Sequence, residues 1–354
     1  MVELVQAYPA LAIACAGVLG LLVGSFLNVV ILRLPLRMQW QWEREARELL
    51  QEVEAGSPGS EQTLVEPSLL GLGKSAEPGR SAEPGAAGQA SAWLGLPGLD
   101  LAAEPGASAE QAPLYKRLDE SEPAAPPGIV VEGSHCLHCG HRLAAWENIP
   151  LLSFILLGGK CRACKARISW QYPLVEALTG ILFALVVWRY GLTWQSGALL
   201  VATGFLVAMS GIDARTTLLP DSLTLPLLWF GLLLSLGSVF VPPAEAILGA
   251  VVGYLSLWSV YWGFKLLTGK EGMGHGDFKL LAAIGAFCGW TAILPVVLMS
   301  SLIGAIVGIA LITIQGRDRA TPIPFGPYLA AAGWVQMLYG GDLLAKYLQF
   351  VAGI

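Results

Sequence analysis

Eight long apolar segments separated by shorter polar stretches dominate the pattern of this chain. Most of them approach the roughly 20 residues that a helix needs to cross the hydrocarbon core of a bilayer, although the sixth is short. We therefore predict an all-α polytopic membrane protein with about eight transmembrane helices. The predicted segments are residues 8–32, 172–188, 194–212, 223–240, 244–267, 278–290, 293–314 and 325–350.

The composition excludes a soluble globular protein. The chain has 354 residues, of which 55% are hydrophobic and 13% charged, and its mean hydropathy is +0.61. Soluble domains carry about a quarter charged residues. The net charge of −5 is small and dispersed, so no nucleic-acid partner is expected and the lipid bilayer is the partner that the composition implies. The first apolar segment has neither a basic leader nor a small-residue cleavage site, and we expect it to be retained.

Basic residues near the helix ends predict the orientation of the chain. Thirteen of its 21 Lys and Arg lie between residues 33 and 167, and positive charge near helix ends is retained in the cytoplasm. This places both termini outside the cytoplasm and leaves only Arg189 and Lys346 on that side. The residues near helix ends that are predicted to be cytoplasmic are Arg33, Arg37, Lys160, Arg162, Lys165, Arg167, Arg215, Lys265, Lys270, Lys279, Arg317 and Arg319.

Composition shifts divide the chain into four predicted parts. Residues 1–34 form the first transmembrane helix, and residues 35–133 form a cytoplasmic linker. Residues 134–170 form a compact polar module, and residues 171–354 form a seven-helix membrane core. Within the linker, residues 51–127 are rich in Pro, Gly, Ala, Ser and Glu and repeat the sequence SAEPG. Such a stretch lacks the apolar density to bury a core, and we predict that it is disordered.

Two acids are predicted to meet at one face of the membrane. Asp213 ends the third apolar segment and Asp277 opens the sixth, both where an apolar helix reaches the cytoplasm. Two carboxylates sharing a site do not both ionise easily, so one retains a proton while the other accepts one from water, which is the chemistry of an aspartyl protease. Helix capping is the alternative, but an acid at a helix C-terminus such as Asp213 opposes the helix dipole.

Four further residues are candidates for supporting roles. Gly274 and Gly276 flank the second acid, and glycine there allows a sharp turn and the close approach of an extended substrate. Asp221 follows a proline at the start of a segment and is also a candidate N-cap. Glu176 is an acid near membrane depth, where acids are functional candidates, or else a first-turn acid in the interface.

Four cysteines form the most specific local pattern in the chain. Cys136 and Cys139 make one C-x-x-C pair and Cys161 and Cys164 a second, a spacing typical of structural zinc bound by four thiolates. A redox dithiol pair or an iron centre is the alternative. Three histidines beside the first pair are expected to be surface or supporting residues, because four thiolates already complete a tetrahedron: His135, His138 and His141. Two lone cysteines in apolar segments are expected to be packing residues: Cys15 and Cys288.

These blocks together resemble the bifunctional type IV prepilin leader peptidases with attached N-methyltransferase activity, a GxGD family of membrane aspartyl proteases. The resemblance rests on GLLVGSFLNVVILRLP from residue 20, WENIPLLS from 146, YPLVEALTG from 172, LLPDSLTLPLLW from 218, GMGHGDFKLLAAIGAFCGW from 272 and TPIPFGPYLA from 321. It implies that Asp213 and Asp277 are the catalytic pair. Supporting roles near the substrate then go to Gly274, Gly276, Lys279, Asp221 and Glu176.

The family resemblance also implies the reaction. Members of this family cleave the leader of prepilins and type II secretion pseudopilins after a glycine, at the cytoplasmic face of the bacterial inner membrane. Bifunctional members then methylate the new terminal amine, usually that of phenylalanine, from S-adenosylmethionine. No glycine-rich cofactor fingerprint occurs between residues 33 and 170, so the methyl-donor site is not placed.

Two other classes of protein remain alternatives from the residues alone. In a membrane transporter with a zinc-regulated cytoplasmic domain, the acids would be proton or ion sites, but the chain shows no repeat relating its two halves. In a scaffold, zinc would only stabilise a docking surface.

Overall fold

The computed structural model describes residues 9–55, 125–129, 133–136, 138–269, 273–315 and 324–352. The regular secondary structure of these residues is helical, apart from isolated bridges between His135 and Arg142 and between Lys160 and Arg167. The predicted all-α class is therefore confirmed for the described part of the chain. Most of the predicted disordered insert lies outside the described residues, and so do Lys270, Arg317 and Arg319.

The described helices follow the predicted apolar segments, with one short helix added in the cysteine module. Short 3-10 turns occur at Ala145–Asn148 and Trp290–Ala292. The helices are α1 (Pro9–Ala55), α2 (Leu152–Leu156), α3 (Gln171–Tyr190), α4 (Trp194–Thr216), α5 (Asp221–Leu236), α6 (Pro243–Thr268), α7 (His275–Cys288), α8 (Ile293–Gln315) and α9 (Gly326–Ala352).

Five stretches of the described helices are long and apolar enough to cross a membrane. They are Pro9–Leu49, Gln171–Tyr190, Trp194–Thr216, Pro243–Thr268 and Trp290–Leu311. Helix α5 is apolar but shorter, and α7 has only 14 residues. The protein is thus a polytopic membrane protein, while the predicted number of eight crossings is not confirmed.

Helix α1 is longer than the first apolar segment. The helix passes through Pro35 and continues to Ala55, so it crosses the boundary predicted at residue 34. The extension is polar and contains good helix formers, and Arg44 pairs with Glu48 one turn later at 2.9 Å. A hydropathy pattern detects only the apolar part of such a helix.

Helix α7 is the most buried element of the core. It packs mainly against α6 and α5, and its contact with α6 is close because glycines face it. A Cβ atom at Gly253 of α6 would lie 2.7 Å from the carbonyl oxygen of Leu281 in α7, and Gly249 meets Gly285 directly. Small residues at such positions allow helix backbones to approach each other in membranes. The short α7 is therefore held inside the protein and has little contact with lipid.

Helices α1 and α3 also meet through glycine. A Cβ atom at Gly24 would lie 2.8 Å from the Cα atom of Glu176, and one at Gly20 would lie 2.6 Å from the carbonyl oxygen of Thr179. Asn28 of α1 donates a hydrogen bond to the carbonyl of Tyr172 at 3.1 Å. The N-terminal helix is thus fixed to the helix that follows the cysteine module.

Candidate active site and cysteine module

The two predicted acids are buried at helix ends. Asp213 lies in the last turn of α4, where the chain leaves the helix through Thr217 in the left-handed conformation (φ 53°). Asp277 lies in the first turn of α7. Their exposed fractions are 4% and 7%. Buried carboxyl groups are rare without a partner or a function.

The two carboxylates are close enough to interact electrostatically as like charges. Helices α4 and α7 therefore bring together two acids that are 64 positions apart in sequence. Oδ2 of Asp213 accepts a hydrogen bond from the backbone N–H of Gly326 at 2.9 Å. Gly326 is the first residue of α9, so the positive end of that helix dipole also faces this carboxylate.

Asp277 has no comparable hydrogen-bond donor among the described residues. Its Oδ1 atom is buried without a hydrogen bond among the described residues, and α7 has no side-chain cap. A buried polar atom without a partner is uncommon in folded proteins. The arrangement leaves one oxygen of the acid pair available to a water molecule or a substrate carbonyl.

The two glycines before Asp277 differ in their surroundings. A Cβ atom at Gly276 would lie 2.5 Å from Cβ of Leu219 and 3.1 Å from its carbonyl oxygen, so glycine is required for the approach of the loop between α4 and α5. A Cβ atom at Gly274 would meet only Oδ2 of Asp277, at 4.0 Å. His275 is exposed and packs against the rings of Tyr261 and Phe278.

Asp221 and Lys279 form an ion pair beside the acids. Lys279 Nζ lies 2.6 Å from Oδ1 and 2.7 Å from Oδ2 of Asp221, so the pair links the start of α5 to the first turns of α7. The N-cap of α5 is Pro220, without a side-chain cap. The candidate N-cap role of Asp221 is therefore wrong, and its carboxylate binds the lysine of the neighbouring helix instead.

Glu176 holds the cysteine module against α3. Its Oε2 atom accepts a hydrogen bond from the backbone N–H of Leu151 at 2.8 Å. Leu151 has a φ of 58°, which is strained for a residue with a β-carbon. Glu176 is 8% exposed, and its hydrogen bond to the residue directly before α2 connects α3 to the module.

The four predicted metal ligands converge. The Sγ atoms of Cys136, Cys139, Cys161 and Cys164 all lie within 4.8 Å of one another, and all four cysteines are free. The Sγ atoms of Cys136 and Cys164 are 3.8 Å apart. A tetrahedral zinc with Zn–S bonds of about 2.3 Å requires S···S edges of about 3.8 Å. The donor set and its spacing therefore fit a zinc ion.

The module consists of two equivalent loops related by a shift of 25 residues. At least four pairs of backbone features correspond. The amide of each first cysteine donates to the carbonyl five positions later, to His141 at 2.9 Å and to Ala166 at 2.8 Å. Gly140 and Lys165 follow the second cysteines and both have positive φ, 69° and 61°. Two further pairs are the bridges His135–Arg142 and Lys160–Arg167 and the bonds Leu143 N to Ser134 O and Ile168 N to Gly159 O.

Backbone donors favour the thiolate form of Cys136. The N–H groups of His138 and Cys139 lower the pKa of the Cys136 thiol to about 6. Although the N–H of His141 opposes it, burial and the neighbouring thiols raise the pKa of the Cys139 thiol to about 11. Thiolates are the form that binds metal. The predicted supporting histidines lie outside the four-sulfur cluster, and His141 Nε2 contacts Oε2 of Glu147 at 3.3 Å.

Two residues that contact the site, Glu147 and Gly326, have no role predicted from the sequence. Glu147 is 5% exposed, and its Oε2 accepts the N–H of Ala144 at 2.7 Å, which lowers the pKa of this carboxyl. Gly326 binds Asp213 as described above. Glu147 lies three residues after the start of a turn, and this spacing could have indicated its role. No local pattern around Gly326 indicates its distant partner.

The packing role predicted for Cys15 is wrong, because Cys15 is exposed on α1, while Cys288 is half-buried against the core.

The fold and site define a polytopic all-α membrane protein with a buried acid pair and a four-cysteine module. The model of the bacterial peptidase A24 N-terminal domain matches residues 18–190, and that of the type IV leader peptidase family matches residues 200–309. No solved structure gives a significant match to the chain.

Curated relatives match almost the whole chain. A protein of Xanthomonas campestris pv. campestris is 49% identical over 343 residues, which cover 97% of this chain and 96% of the relative. Proteins of Stutzerimonas stutzeri and Pseudomonas aeruginosa are 45% and 42% identical over 350 residues, 99% of this chain and 98% of each relative. All three are named prepilin leader peptidase/N-methyltransferase. The chain belongs to the type IV leader peptidase family, as the sequence motifs predicted.

Proposed function

We propose that this protein removes the leader peptide of type IV prepilins and type II secretion pseudopilins after a glycine and then methylates the new terminal amine. The observation that carries the proposal is the juxtaposition of two buried acids, Asp213 and Asp277, in a chain of this family. The family membership supports both activities, and the acid pair supplies the chemistry of the first.

In the proposed cleavage, the two carboxyl groups act as one acid–base unit. One is protonated and donates a hydrogen bond to the scissile carbonyl, while the other accepts a proton from the attacking water. The water oxygen bonds to the carbonyl carbon, and the C–N bond breaks as the amine leaves with a proton from the pair. The unpartnered Oδ1 of Asp277 and the N–H that Gly326 donates to Asp213 are consistent with this arrangement.

The four cysteines are proposed to hold a structural zinc ion. Four thiolates leave no open coordination position, so the zinc would stabilise the module and take no part in peptide hydrolysis. S-adenosylmethionine is the methyl donor that the activity requires. The described module residues contain no strand–turn–helix unit of the kind that binds such cofactors, so no residue is assigned to the donor.

We further propose that the protein lies in the inner membrane with its termini in the periplasm and its acid pair facing the cytoplasm. Contacts at one end of the helix bundle support a common face for the acids. Asp213 at the end of α4 meets the start of α9, and Asp221 at the start of α5 meets Lys279 near the start of α7. The excess of Lys and Arg in the segments at this end favours the cytoplasmic side.

Co-expression with a prepilin tests the peptidase assignment. Asp213→Asn and Asp277→Asn preserve size and remove the ionisable group, so each should abolish detectable cleavage when the prepilin is analysed by mass spectrometry. Asp119→Asn, in the predicted insert, is the matched control and should cleave at the normal rate. Normal cleavage by either variant of the acid pair would exclude the proposed mechanism.

Cysteine variants test the second activity and the zinc ion. Cys136→Ser and Cys161→Ser should lower the metal content of the purified protein and leave cleaved pilin with an unmethylated terminus. Cys15→Ser is the control, because this thiol lies on α1 outside the cluster. Full methylation together with full metal content in both module variants would contradict the assignment.

A further inference from the structure

The cysteine module carries an exposed apolar surface that the proposed reactions do not use. Leu152, Ile155 and Leu156 of α2 are 48%, 72% and 66% exposed, and Trp170, the residue before α3, is 75% exposed. We call these four residues the interfacial surface. Contiguous exposed apolar side chains of this size usually mark a surface that another molecule covers.

The interfacial surface continues the lipid-facing side of α3. Trp170, Leu174, Leu178 and Ile181 are all exposed, and their spacing of four, four and three places them on one face of the helix. Phe154 of α2 packs against the ring of Trp170, with ring centroids 5.1 Å apart. Trp170, at the start of the apolar face that α3 presents to lipid, is therefore in direct contact with α2.

A hydrogen bond places α2 at the depth of the membrane boundary. The N–H of Leu151, directly before α2, reaches the Oε2 atom of Glu176. Glu176 is the sixth residue of α3, about 7–8 Å along the helix axis from the first at a rise of 1.5 Å per residue. Helix α2 thus begins beside the first turns of a candidate membrane span, although it belongs to the polar module.

The charge of the module matches an anionic surface. Between residues 134 and 170 the sequence has five basic residues and a single acid, Glu147, which is buried. Four of the basic residues are exposed around the second cysteine loop: Lys160, Arg162, Lys165 and Arg167. Basic side chains next to an apolar surface are typical of segments that bind anionic phospholipid headgroups.

From these observations we infer that the interfacial surface is inserted into the headgroup region of the bilayer. Contact with lipid then anchors the cysteine module at the membrane surface. Apolar side chains of interfacial helices reach about 5–10 Å into this region, and tryptophan favours it. Contact with lipid fixes the height of the module relative to the membrane helices, in addition to the hydrogen bond between Leu151 and Glu176.

Photo-crosslinking of the full-length protein in native membranes tests this inference. Ile155→p-benzoylphenylalanine should form adducts with phospholipid, detected by mass spectrometry, several-fold more often than Ala46→p-benzoylphenylalanine. Ala46 is exposed on the polar extension of α1, outside the interfacial surface and the basic second cysteine loop, and serves as the control. Equal lipid labelling at the two positions would overturn the inference, as would adducts at position 155 only with prepilin or with a second copy of this chain.

A pair of charge substitutions provides a second measurement. Ile155→Lys keeps an aliphatic stem and adds a charge that anionic headgroups attract, whereas Ile155→Asp adds one that they repel. In open membrane fragments, chymotrypsin, which cleaves after neither lysine nor aspartate, should cut the module several-fold faster in the aspartate variant than in the wild type, and at nearly the wild-type rate in the lysine variant. Equal rates for the two variants would contradict the lipid contact. This readout does not depend on either enzymatic activity.

Discussion

The backbone N–H of Gly326 and the Oδ2 atom of Asp213 form a hydrogen bond of 2.9 Å that joins the start of α9 to the end of α4. The two residues are 113 positions apart. The N–H group compensates an acid that lies unfavourably at the C-terminal end of its own helix. The position of Asp213 therefore depends on a helix that follows it much later in the chain.

Gly326→Ala is expected to damage cleavage more than folding. An alanine Cβ at this position would lie 2.7 Å from Oδ2 of Asp213 and 3.0 Å from its carboxyl carbon, so the acid must move. Displacement of a catalytic group by about 1 Å costs on the order of 100-fold in rate. Prepilin turnover by the purified variant should fall by about that factor.

Gly341→Ala on the same helix is the control for this change, because no described atom lies within 4 Å of its Cβ position. It should retain the wild-type turnover. A Gly326→Ala enzyme with wild-type turnover would mean that Asp213 is not held by this contact.

Alanine substitutions at the two glycines before Asp277 should have unequal effects. Gly276→Ala would place a Cβ atom against backbone and side-chain atoms of Leu219, whereas Gly274→Ala has open space and an ordinary φ of −77°. Overpacking of this kind typically costs about 1–3 kcal/mol. We expect Gly276→Ala to lower both thermal stability and cleavage, and Gly274→Ala to be mild in both. Equal losses would point to a role of Gly274 in substrate binding that its packing does not require.

The sequence predicted the presence of the helices more accurately than the residues at which they end. Helix α4 begins at Trp194 as predicted, because Thr193 and Ser196 form a capping box that the local sequence specifies. The same helix runs four residues beyond the predicted end at 212, so Asp213 lies inside its last turn. Hydropathy detects where apolar residues stop, whereas hydrogen bonding and capping decide where a helix stops.

The site was predictable to the extent that its signals are local. The C-x-x-C spacing predicted a cluster that the structure confirms, since each pair lies within one tight loop. Predicting the acid pair required a topology for the whole chain and a family resemblance. The partner of Asp213 is set by packing between distant helices, and the bond between Glu176 and Leu151 depends on a strained backbone, so neither has a local pattern to detect.

The Asp221–Lys279 ion pair should contribute a small amount of stability to the contact between α5 and α7. Asp221 is 57% exposed and Lys279 27% at the side chain, and exposed pairs contribute about 0.2–1 kcal/mol. Asp221→Ala and Lys279→Ala should each destabilise the protein by an amount in that range. A double-mutant cycle by thermal unfolding in detergent measures the coupling, and the charge-reversed pair Asp221→Lys with Lys279→Asp should recover part of it. Additive effects of the two alanines would show that the contact contributes nothing.

Glu147 is expected to control how firmly the module retains its metal. Its carboxylate binds the N–H of Ala144 and contacts His141, which follows the first cysteine pair. Hydrogen bonds to a charged acceptor are stronger than those to a neutral one, so Glu147→Gln keeps the shape of the side chain and weakens both contacts. Zinc-loaded protein with this change should lose metal to a colorimetric chelator several-fold faster than the wild type.

Glu48→Gln is the matched control, because the carboxylate of Glu48 pairs with Arg44 in α1. This variant should release metal at the wild-type rate. If the Glu147 variant releases metal as slowly as this control, the first cysteine loop is held by its backbone hydrogen bonds alone.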